Sequence, residues 1–121
     1  KYKNINSFSY KPDTDSNNIL YESDVLISDW SGIAFEFAFA LQKPVLFVDT
    51  PRKIKNTEYD KVGLESFEVY IREVVGEFFD FNKNYTLNNI NTVDEKQINE
   101  NIFCINNSSK IASEYILNLI D

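Results

Sequence analysis

Two short apolar runs, residues 24–28 (DVLIS) and 44–48 (PVLFV), flank one helix-length segment, residues 33–41 (IAFEFAFAL). That triplet leaves few folds open. The runs are rich in β-formers, and the segment between them is apolar on every side except at Glu36. Two apolar strands joined by such a helix predict a βαβ unit with parallel strands, because a parallel pair needs a crossover connection. Continuous apolar runs, rather than alternating ones, fit strands covered on both faces. The expected class is therefore α/β, a Rossmann-like parallel sheet flanked by helices, with its core βαβ at residues 23–51.

In open α/β sheets, ligands bind outside the carboxyl ends of the strands. This puts Asp29, Trp30, Ser31 and Gly32 at one edge of a candidate site and residues 49–52 at the other. Ser31 and Gly32 fall where the helix begins. The first N–H groups of a helix lack intrahelical partners, and the macrodipole adds positive potential, so a phosphate is a natural guest. Ser31 can cap the helix or donate its hydroxyl to a phosphate oxygen, and Gly32 lets a ligand approach the backbone. An ordinary Ser cap beside a Gly that relieves crowding is the plain alternative. Glu36 is the one charge in the apolar helix. It can accept hydrogen bonds from sugar hydroxyls, as acidic residues do for ribose, or it can bond nearby backbone or face solvent. Arg52 can pair bidentately with a diphosphate, or stand solvated beside Lys53 and Lys55.

The segment Asp24-Val25-Leu26-Ile27-Ser28-Asp29-Trp30-Ser31-Gly32, followed by Glu36-Phe37 and Lys43-Pro44-Val45-Leu46-Phe47, resembles the CDP-glycerol glycerophosphotransferase family, enzymes similar to teichoic-acid polymerases. Residues 67–73 and the closing helix at 109–120 also look like the tail of that family. The resemblance implies a GT-B architecture of two facing Rossmann-like domains. This chain would be the distal part of the C-terminal, donor-binding one, a single domain fragment over residues 1–121. Carried over residue by residue, Asp29, Ser31 and Gly32 match the turn facing the donor's phosphates, and Glu36 matches the acidic helix position that binds ribose in related folds. Trp30 stands where the family commonly has Tyr, Gly32 where it has a second Ser, and Glu36 where it has Asp. The same segment is similar to the DSGG…E stretch of UDP-sugar 2-epimerases, which leaves the donor nucleotide open.

The implied reaction is transfer of glycerol phosphate from CDP-glycerol to a bacterial cell-surface polymer. The implied partners are that nucleotide donor and the upstream domain of the parent enzyme. The implied location is the cytoplasm, or for the parent the cytoplasmic face of the membrane. No cofactor and no metal are expected. Two alternatives stay open: a UDP-sugar-using GT-B glycosyltransferase or epimerase, and a non-catalytic α/β interaction module using the apolar surface of residues 33–41.

Composition trims the remaining classes. The 121 residues carry a net charge of −7, which argues against a nucleic-acid partner. The lack of any Met suggests a piece of a longer protein. There is no His, which removes Ser–His and Cys–His pairs, His-based zinc sites and the commonest general base. Catalytic residues are accordingly expected outside this chain, and the chain alone is expected to be inactive. The single Cys104 cannot form an internal disulfide, fits a reducing compartment and reads as a buried small apolar group. No apolar run approaches the ~20 residues that a membrane span needs, and no signal-peptide pattern opens the chain.

Elsewhere the signals are plainer. Residues 1–11 alternate weakly and suit an edge strand or its approach. Residues 12–17 form a turn-rich connector, with Asp15 or Ser16 capping a helix through Glu22; it reads as a solvated loop, although the resemblance to a GT-B donor domain implies that residues 12–16 lie near the nucleotide base. Residues 52–63 read as a loop that can order over the donor. Residues 67–75 fit both a strand, by alternation, and a helical face, with Gly76 ending the element. Residues 77–91 read as irregular. Thr92 and Glu95 have capping-box spacing for a helix to about Phe103. Ser108 or Ser109 can cap a last helix, whose stripe of Ile111, Ala112, Tyr115, Ile116, Leu119 and Ile120 is expected to pack on the sheet.

Overall fold

The computed structural model describes residues 6–10, 16–52, 54 and 56–120. The anticipated α/β class is what it shows: a three-stranded, all-parallel sheet in the order β1-β2-β3, with helices packed on it. Helix α1 (Ser16–Glu22) leads into β1 (Leu26–Ser28), α2 (Ile33–Leu41) and β2 (Val45–Phe47). Leu26 pairs in register with Val45, and Ser28 with Phe47. The crossover helix covers the residues expected. It ends at Gln42, which takes the left-handed C-cap conformation at φ 51. Lys43 then donates from Nζ to the backbone oxygens of Tyr21 and Ser23, both at 2.7 Å, fastening the end of α1 to the entry of β2.

Residues 67–75 resolve as a helix, α3 (Phe67–Val75). Gly76 ends that helix as its C-cap and at once opens a third strand, β3 (Gly76–Phe78), which runs into the stretch expected to be irregular. It pairs with Val45 while Phe78 pairs with Phe47. Right-handed crossovers into sequential parallel strands put α2 and α3 on the same face. Consistently, Phe35 of α2 meets Phe67 of α3 edge-on at 5.8 Å between ring centroids. The core lies under these two helices: Ala34, Phe37 and Ala38 from α2, Val45 and Phe47 from β2, Ile71 and Val75 from α3, and Val93. Burying a phenylalanine such as Phe37 contributes on the order of 1.5–3 kcal/mol. Ile27, on the opposite sheet face by strand alternation, is 58% exposed.

Helix α4 (Glu95–Asn101) does begin with a capping box, two residues later than expected. Asp94 Oδ1 accepts from the Gln97 N–H at 2.7 Å, and Gln97 Oε1 accepts from the Asp94 N–H at 2.9 Å. The Thr92–Glu95 pair had the right spacing, but the helix starts at Glu95 with Asp94 as its cap, and Val93, between Thr92 and that cap, is buried. Asp94→Ala should lower stability by about 1 kcal/mol, read as a drop in the urea midpoint. An unchanged midpoint would show that this cap contributes nothing.

The last helix, α5 (Ser108–Asn118), corrects two expectations. Its N-cap is Asn107 rather than a serine, and none of its residues is buried. Tyr115, Ile116 and Leu117 are each more than half exposed. The stripe gave the helix but not its seat. The core face of the sheet is already filled by α2, α3, Val93 and Ile98, so α5 does not reach it. Cys104 is half-buried rather than buried, in a turn where it takes φ 56. The edge-strand expectation falls partly on residues 1–5 and 11, outside the described residues; residues 6–10 form a turn and irregular chain. The connector at 12–15 also lies outside them. No helix among the described residues is long and apolar enough to cross a membrane.

Candidate functional site

The carboxyl ends of the three parallel strands lie along one edge of the sheet, and the β1–α2 turn stands at its β1 side. Ser28 ends β1, and Asp29, Trp30, Ser31 and Gly32 make the turn into α2. The N-cap is Gly32 rather than Ser31. Ser31 contributes its backbone oxygen, accepting from the Ala34 N–H at 3.2 Å, and Gly32 oxygen accepts from Phe35 at 3.0 Å. The Ser31 hydroxyl makes no hydrogen bond among the described residues and is exposed. A Cβ built on Gly32 would meet nothing within 4 Å, so open space lies over the helix start. With the Ala34 and Phe35 N–H groups already bonded, what this helix start offers an oxyanion is the room above Gly32 and the positive end of the helix dipole.

Glu36 sits one helical turn on, its N–H directed at Gly32 oxygen at 3.4 Å, so both lie on the same side of α2. Its side chain is exposed on the rim of a hollow of about 210 Å³ lined by Leu20, Tyr21, Ala40 and Leu41. The carboxylate is thus solvated rather than bonded to neighbouring backbone, and free to accept from a ligand's hydroxyls.

Arg52 belongs to a different hollow. Its Nη2 donates to Ser66 Oγ at 2.7 Å, and its guanidinium lies 5.3 Å from the Tyr59 ring centroid. These contacts place it beside an opening of about 570 Å³, bounded also by Asp60, Gly63 and Leu64, in the β2–α3 connection. That connection holds a 3-10 turn at Tyr59–Val62; Lys53 and Lys55 lie outside the described residues. The two edges of the site are joined through Trp30, whose Nε1 donates to the Thr50 backbone oxygen at 2.8 Å.

A family model described as CDP-Glycerol:Poly(glycerophosphate) glycerophosphotransferase matches residues 2–115. The chain belongs to that family. Comparison with curated proteins and with solved structures gave no match. Membership brings a glycerophosphotransferase type of chemistry and a nucleotide-activated donor as the family's substrate class.

Sequence reasoning missed one residue beside this turn. Arg72 of α3 is only 1% exposed. Its guanidinium lies 3.9 Å from the Trp30 ring centroid, 4.8 Å from that of Phe47 and 4.7 Å from that of Phe78. Nη2 donates to the Val48 backbone oxygen at 3.2 Å, and Nε is buried with no partner among the described residues. Burial pushes the guanidinium below the ordinary arginine range, while the negative charges of Asp49 and then Asp29 act in the opposite sense. An arginine keeps its charge even so. The only signal in the sequence was an Arg at a position that helical spacing from Phe67 leaves beside the buried stripe.

Proposed function

We propose that this chain supplies the donor-binding edge of a CDP-glycerol glycerophosphotransferase that passes glycerol phosphate to a cell-surface polymer. The observation that carries the reading is the open start of α2. An unbonded Ser31 hydroxyl and a Gly32 with clear space above it stand at the end of β1, and a solvated Glu36 follows Gly32 by one helical turn. The donor's diphosphate would lie over Ser31 and Gly32, with Asp29 behind it, and its ribose hydroxyls would reach Glu36. Arg52, now on Ser66, would swing to the diphosphate only after giving up that contact. In the reaction an acceptor hydroxyl attacks the glycerol-bearing phosphorus, the bond to the CMP phosphate breaks, and the hydroxyl proton passes to a base. No His in the chain offers that base, so the reading assigns it to a facing domain of the parent enzyme. The place of action is the cytoplasm or the cytoplasmic face of the membrane.

NMR titration of the isotope-labelled chain with CDP-glycerol, CMP, UDP and inorganic phosphate tests this. Shifts should centre on Ser31, Gly32 and Glu36 and be larger for the cytidine ligands. Ser31→Ala and Glu36→Ala should each weaken CDP-glycerol binding roughly tenfold or more, since a hydrogen bond involving a charged group contributes about 1.5–3 kcal/mol. A preference for UDP would move the reading to a UDP-sugar donor. Equal shifts for every ligand would reduce the site to a generic anion-binding helix end, and no shift at all would remove donor binding from this chain. The interaction-module alternative loses its original surface, because α2 buries Ala34, Phe37 and Ala38 against the sheet. What favours it instead is the exposed apolar side of α5.

A further inference from the structure

We infer that Arg72 is a positioning residue for the donor site, holding the Asp29-Trp30-Ser31-Gly32 turn in place by stacking its guanidinium on Trp30. The purpose assigned to the turn rests on the donor-binding reading; the mechanical role does not. The guanidinium stands where all three strands end. Phe47 closes β2, Phe78 closes β3, and Trp30 follows β1 by two residues. All three rings face the same cation within 4.8 Å. Through Nη2 it also holds Val48 oxygen, the first carbonyl beyond β2, while Trp30 holds Thr50 oxygen from the other side. Arg72 and Trp30 therefore lock the two strand-end loops to each other, and Trp30 is the residue immediately before Ser31. A buried cation is unfavourable unless its surroundings answer its charge. A merely space-filling residue here would be Leu or Met. The planar guanidinium instead stacks on aromatic faces and donates in a fixed geometry, which a lysine ammonium does not reproduce.

Trp30 is the one tryptophan in the chain, so its indole is a clean reporter. Arg72→Lys keeps the charge and loses the planar stack; Arg72→Gln loses both. In the ligand-free protein, both should speed hydrogen exchange of the Trp30 indole N–H at least tenfold. Exchange of the Ala34 and Phe35 amides, which donate to Ser31 and Gly32 oxygens, should rise with it, and Val75 in the core should keep its protection. The dissociation constant for CDP-glycerol should rise roughly tenfold in Arg72→Lys. If Arg72→Gln fails to fold, Arg72→Lys alone carries the test. Indole and turn exchange at the wild-type rate in Arg72→Lys, with only a lower melting temperature, would overturn the positioning role and leave Arg72 as core filling. Should the wild-type chain bind no CDP-glycerol, the donor reading fails, while the indole exchange still decides whether Arg72 holds the turn.

Discussion

Replacing Gly76 with alanine is expected to destabilise the protein by about 3 kcal/mol or more, at the upper end of what overpacking does. Backbone strain is not the cause, since Gly76 lies in the extended region at φ −169 and ψ −159, which any residue adopts. The cause is contact. A Cβ there would stand 2.3 Å from Val45 oxygen, 3.1 Å from Val45 carbonyl carbon and 3.0 Å from Phe47 Cε2. Two of those atoms are backbone of the central strand, held in register on both sides by β1 and β3. They cannot retreat without breaking a ladder. Since domains of this size are stable by only about 5–15 kcal/mol, urea unfolding followed by circular dichroism should show a large fall in midpoint. Gly32→Ala is the matched control. Nothing lies within 4 Å of its added Cβ, and its φ of −60 suits alanine, so its effect should stay within about 1 kcal/mol. Equal effects for the two glycines would refute the steric account.

Phe47→Ala should lose about 3–5 kcal/mol, the usual range for emptying a buried aromatic site. Phe47 is 0% exposed in the middle strand and packs among Ala34, Phe37, Ile71 and Val75 in the core. It has a second task, as its ring is one of three around the Arg72 cation. Phe47→Leu keeps most of the volume and removes the aromatic face. On packing alone that swap would stay below about 1.5 kcal/mol, and the lost cation–π contact should carry it higher. A double-mutant cycle of Phe47→Leu with Arg72→Lys separates the two effects. Coupling of at least about 0.5 kcal/mol is expected; strict additivity would mean that the ring and the cation are neighbours without interaction.

The contrast between Phe47 and Arg72 shows where sequence reasoning stopped. Phe47 sits in a run whose apolar character is local and continuous, so its burial was legible. Arg72 is buried by rings from β2, β3 and the β1–α2 turn, and no local pattern reports such an arrangement. At the candidate site, Glu36 follows Gly32 by one helical turn, a relation that spacing alone sets. Arg52 follows β2 in the chain, but its partners Ser66 and Tyr59 lie in the β2–α3 connection, whose path local sequence does not set.

The sequence by itself determined the family and the central βαβ unit, because an apolar helix between two β-forming runs admits one economical packing and the motif residues are contiguous. It also determined that residues 67–75 and 109–120 have helical faces. Only the tertiary structure decided that 67–75 is a helix rather than a strand: its Ile71, Arg72 and Val75 must meet the sheet together. Only the tertiary structure revealed β3, whose three residues are a strand because Val45, Leu46 and Phe47 lie alongside to pair with them. And only the tertiary structure left α5 exposed, since an apolar stripe specifies that a helix has a face to bury and not which surface is still free to receive it.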